Sequence, residues 1–107
     1  MTPRHEIWIG LAEVIPAKGS RSLDGAKGAF VNVVGWASSN TDFHTRVEEA
    51  AVSLDMQLLA LEDAEPFSQR HAKWDVDELI LQMVGTAQEH EKDIVFGTFH
   101  LWDKTDA

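Results

Sequence analysis

The chain of 107 residues contains no cysteine. That absence excludes disulfides, thiolate metal sites and cysteine nucleophiles, and it leaves the redox compartment open. Tyrosine is missing too, so no phenol is available for acid–base work. Positive charge is scarce: nine Lys and Arg stand against eighteen Asp and Glu, for a formal net charge of −9. A nucleic-acid binder needs a basic footprint to neutralise phosphates, and this balance argues against such a partner. No run of about 18 uncharged apolar residues occurs, so no membrane partner is expected. The opening "MTPRHEIWIG" has no apolar core of the kind a signal peptide carries, which leans the expectation towards the cytoplasm.

What is present is ordinary for a globular domain, with 44% hydrophobic and 25% charged residues. The length fits one domain, residues 1–107, large enough for a single core without staples. Chemical motifs are few. His5, His44, His71, His90 and His100 form no HxH or HExxH spacing, so no metal is expected. The glycine-bearing stretch "AKGSRSLDGAKG" lacks the phosphate-loop spacing and leads into a strand instead of a helix. No GxSxG and no dinucleotide fingerprint occurs, so the sequence assigns no catalytic residue and no cofactor.

Periodicity supplies the elements. "EIWIGLAEVIP" (Glu6–Pro16) and "AFVNVVGWAS" (Ala29–Ser38) read as two strands of a long hairpin. "SSNTDFHTRVEEAAVSLD" reads as a helix, with Phe43, Val47, Ala50 and Leu54 on one stripe and Asn40 or Thr41 as cap. "MQLLALEDAEPF" is a third strand that loses its apolar pattern at Glu62 and stops at Pro66. "SQRHAKW" is a polar connector. Asp75–His90 is a second helix, with Val76, Ile80, Met83 and Ala87 on its stripe and Asp75 and Glu78 resembling a capping box. A last strand runs from about Ile94 to Trp102.

The order β-β-α-β-α-β predicts an α+β two-layer sandwich: a mixed four-stranded sheet, Ala29–Ser38 parallel to Met56–Leu61, and two helices on one face. The other face should then lie bare. On each of three strands one alternate set carries a tryptophan, and those sets, assigned to the bare face, hold Trp8, Phe30, Asn32, Trp36, Phe96, Thr98, His100 and Trp102. A broad apolar patch of that kind marks a partner or ligand.

Three readings of the patch stand open. It is a self-complementary homodimer interface, or a cleft for a small apolar ligand with Asn32, Thr98 and His100 as its polar groups. Otherwise the loop at 17–28 or the connector covers it, or one strand is out of register. Separately, the acidic stretch from Asp42 to Glu65 offers Glu48, Glu49, Glu62, Asp63 and Glu65 as a docking surface for a basic protein. The segments "AFVNVVGWASSNTDFHTRVEEA", "LLALEDAEPF" and "FGTFHLW" together resemble small uncharacterised bacterial α+β (ferredoxin-like variant) families of unknown function. The resemblance implies the strand–helix–strand plan and carries no activity and no site residues. The leading expectation is a non-catalytic binding or regulatory domain that homodimerises through the aromatic face. The alternative is an acidic immunity-type antagonist of a basic toxin, and the third reading is an enzyme on a small molecule with His100 as proton carrier.

Overall fold

β1 (Glu6–Pro16) and β2 (Gly28–Ala37) form the expected hairpin. They pair antiparallel, with Trp8 opposite Gly35, Ile9 opposite Val34 and Glu13 opposite Phe30. The structure, a computed structural model, describes residues 5–19, 23, 26–73 and 78–102.

α1 (Asn40–Ser53) follows β2, and its buried residues are Phe43, Val47 and Ala51. Ala51 stands in place of Ala50 and Leu54 of the expected stripe; Leu54 is the C-cap, beyond the last helical residue, and is exposed. Ser39 caps the helix: its hydroxyl accepts from the Asp42 N–H at 3.0 Å. Asn40 and Thr41, the expected caps, fall inside the first turn. Asp55 then adopts φ 60, a left-handed turn just beyond the helix end, and the chain enters β3 (Met56–Pro66).

The stretch read as a connector is helical instead, forming α2 (Phe67–Lys73). Ser, Gln, Arg, Ala and Lys are all tolerated in helices, and Phe67 anchors the turn by packing among the residues beneath the next helix. α3 (Glu78–Glu89) buries Ile80, Met83, Val84 and Ala87. Asp75 and Val76 lie outside the described residues. The last strand is broken into β4 (Val95–Phe96) and β5 (His100–Trp102). At the break the Gly97 N–H still donates to the Asn32 carbonyl at 2.8 Å.

The architecture is α+β with an open sheet in the order β3-β1-β2-β4, and β5 also pairs with β2. Among the described residues every strand pair is antiparallel. The expected parallel neighbours, β2 and β3, are held apart by β1, because the α1 crossover passes over β1 and lands on its outer edge.

The helices do not share a face. Successive strand residues point to opposite sides. Ala12 and Val14 pack with Val31, Val33, Phe43, Val47 and Ala51 under α1. Ile9 and Val34 pack with Ile80, Met83, Val84 and Ala87 under α3. The chain travels one way across the sheet from β2 to β3 and returns across it from β3 to β4. With α1 already over the β1–β3 side, the return crosses the opposite face. The two-layer plan is therefore replaced by a sheet with one long helix on each side.

Candidate functional site

The pairing register decides where the tryptophans go. Trp8 faces Gly35 and Ile7 faces Trp36, so Trp8 and Trp36 point to opposite sides of the sheet. Trp8 lies under α1, its ring centroid 6.1 Å from that of Phe43. Phe96 is on the same side, paired with Val33 and stacked on Phe99 at 6.0 Å. Trp36 lies under the end of α3, where its indole N–H donates to the Ala87 carbonyl at 2.8 Å. The single aromatic face expected from the sequence is thus divided between two cores.

One end of the α3 side is different. α3 packs on Ile9 and Val34, and its Met83 comes up to Gly97 beside the Asn32 carbonyl. Further along, among the described residues, Leu11, Ile15, Phe30, Asn32 and Trp102 are half-buried and His100 is exposed. The hydrogen-bond ladder sets these residues in rows. Ala60 opposes Glu13, Glu13 opposes Phe30, and Phe30 opposes His100. The next row runs from Glu62 through Leu11 to Asn32. On the other side Trp102 pairs with Gly28, and its ring lies so close that a Cβ on Gly28 would meet it at 2.2 Å. Glycine at 28 is what lets the indole lie flat on the sheet.

Of the expected face residues, Phe30, Asn32, His100 and Trp102 therefore gather on this end, and Trp8, Trp36 and Phe96 do not. Thr98 sits exposed in the break between β4 and β5. Glu13 joins the group although the sequence reading passed over it. It had a readable signal: it shares the alternate set of Ile7, Ile9 and Leu11, and a lone charge there marks the point where that face meets water.

The acidic residues are spread out. Glu48 and Glu49 border a groove of about 380 Å³ between α1 and the start of β3, with Val52, Gln57 and Leu58. Glu62 and Asp63 lie further along β3, where the register shifts opposite Gly10 and Asp63 takes φ 55. Glu65 pairs with Arg70 of α2, whose guanidinium also donates to the Asp63 carbonyl. The run "EDAE" thus spans a register shift held by an arginine.

On the other flank of α1 a groove of about 590 Å³ is lined by Asp42, Arg46, Glu49, Lys92, Ile94 and Phe96, among others. Arg46 is already engaged, donating to Asp42 at 3.1 Å with His5 at 3.3 Å. Asp42 is held below the usual carboxylate range by the Ser38 N–H, opposed by its partial burial and reinforced by the Ser38 hydroxyl and Arg46. These contacts fasten the start of α1. Among the described residues no group of three or more His, Asp or Glu is placed to hold a metal, and no helix is long and apolar enough to cross a membrane. No protein-family model, curated protein or solved structure matches the chain.

Proposed function

We propose that this chain is a non-catalytic binding domain that works as a homodimer, closed over the end of the sheet that α3 leaves uncovered. The observation that carries the reading is the row Glu13–Phe30–His100. Neighbouring strands stand about 4.8 Å apart, so Glu13 and His100 flank Phe30 at equal distances. A twofold axis along β2 then lays Phe30 on the partner's Phe30 and sets Glu13 opposite the partner's His100. The surface is self-complementary, an apolar ring on an apolar ring and a carboxylate acceptor opposite an imidazole, as a twofold interface requires. Leu11, Ile15 and Trp102 supply the apolar and aromatic surroundings in which interface anchors work best.

Sedimentation velocity tests the reading. The wild type is expected to sediment as a dimer at micromolar concentration, and Phe30→Glu as a folded monomer. Glu13→Lys should weaken the dimer by removing the acceptor opposite the imidazole, and adding His100→Glu should restore it by pairing a carboxylate with the ammonium. A wild-type monomer at 100 µM (a concentration of about that order separates weak from absent association), or a double variant no tighter than Glu13→Lys alone, contradicts it.

A further inference from the structure

His5 stands where the two faces of the sheet come within reach of one side chain. It immediately precedes β1, and its ring lies 5.9 Å from that of Trp36 on β2. Its Nε2 is 3.3 Å from Nη2 of Arg46 on α1, and its Nδ1 is 3.7 Å from the Glu91 carboxylate. Glu91 belongs to the turn between α3 and β4. Trp36 in turn donates to the Ala87 carbonyl at the end of α3. One imidazole thus touches α1 and the segment that follows α3, although the two helices lie on opposite faces.

The two ring nitrogens meet groups of opposite demand. A guanidinium only donates, so Nε2 meets Arg46 as an acceptor, and the proton of the neutral ring is assigned to Nδ1, facing Glu91. Protonation adds a hydrogen at Nε2, which then points at a cation. The contact with Arg46 is lost, and the pull of Glu91 on the ring grows. Arg46 keeps its pair with Asp42 at 3.1 Å. Asp42, held below the ordinary carboxylate range by the Ser38 N–H, stays charged through the range where imidazoles titrate. Of the other described groups, Glu6 follows His5 in the chain, Lys92 follows Glu91, and His90 and Asp93 face each other at 3.9 Å in the same turn. His44 is exposed on α1, just before Arg46.

We infer that His5 is a proton-driven changeover between the two sides of the sheet: neutral, it holds Arg46 of α1; protonated, it releases Arg46 and holds Glu91 beyond α3. The donor set free on Arg46 stands on the wall of the groove of about 590 Å³ that it shares with Thr45, Lys92 and Phe96. Acidification therefore alters that groove. Glu13 and Phe30 lie about 26 Å further along the hairpin, at the rise of an extended strand, so the changeover is separate from the homodimer proposed above.

The test is an NMR titration of the full chain from about pH 8 to about pH 5, the range in which imidazoles change charge. It follows the ring nitrogens of His5, the Nε–H of Arg46 and the carboxyl carbon of Glu91. At the alkaline end the His5 proton is expected on Nδ1. On acidification the Arg46 and Glu91 signals should move together, at the midpoint of the His5 ring. His5→Gln, whose side-chain carbonyl accepts from Arg46 at every pH, should abolish both movements. His44→Gln and His90→Gln should leave both in place. A proton on Nε2 at the alkaline end, an Arg46 or Glu91 signal that stays still while His5 titrates, or movements that survive in His5→Gln would overturn the proposal.

Discussion

Trp36 joins the sheet to α3 through a single donor. Its indole N–H reaches the Ala87 carbonyl at 2.8 Å, in the last turn of the helix, while its ring lies 5.9 Å from that of His5. The same carbonyl also accepts from the His90 N–H at 3.2 Å, so removing the indole does not orphan it. Trp36→Phe should therefore cost about 1–2 kcal/mol, the net value of one hydrogen bond plus some lost packing. Urea unfolding checks this, and a loss under about 0.3 kcal/mol would mean the clamp is idle. Trp8 is the opposite case. It packs against Phe43 on the far side of the sheet, and its buried indole N–H finds no acceptor among the described residues.

At the level of elements, α1 depends most visibly on charge. Asp42 accepts from the Ser38 N–H at 2.9 Å, from the Ser38 hydroxyl and from Arg46, and these contacts hold its carboxyl low. A carboxyl depressed in the folded state stabilises that state above its unfolded pKa, here near 3.8. The contribution is lost as pH falls through the lower folded value. Asp42→Asn should accordingly cost about 1 kcal/mol at neutral pH, as a hydrogen bond to a charged group is exchanged for a neutral one. The difference from wild type should shrink once the pH is below about 4. A difference that is constant from neutral to acid pH would show that the charge plays no part.

Elements whose signal is local were legible in the sequence. β1 has the expected bounds, Glu6–Pro16, and α1 declares itself through Phe43 and Val47. Pairing was not legible. Trp8 and Trp36 sit on similar alternate sets, and only the register of Trp8 with Gly35 reveals that they face apart. A one-residue offset reverses every side chain of a strand, and nothing local to either strand encodes it. α2 was missed because its polar residues satisfy a loop as well as a helix. The break at Gly97–Phe99 was missed because the apolar pattern runs through it.

The molecule as a whole is a sheet with unequal cover. α1 and α3 take opposite faces, and among the described residues α3 leaves part of its face open. That part keeps Phe30, Asn32, His100 and Trp102 of the residues the sequence singled out, and adds Leu11, Glu13 and Ile15. The candidate site is therefore smaller than the sequence suggested, but it is bounded by residues of known register. In the homodimer proposed above, this end of the sheet meets a second copy. Isotope-filtered NOE spectroscopy on a mixture of carbon-13-labelled and unlabelled chains tests that contact atom by atom. Intermolecular NOEs are expected from the Phe30 ring to the partner's Phe30 ring, with further NOEs to the methyl groups of Leu11 and Ile15. Intermolecular NOEs confined to other surfaces, or none at a concentration of about 1 mM, where even weak dimers are populated, would contradict it.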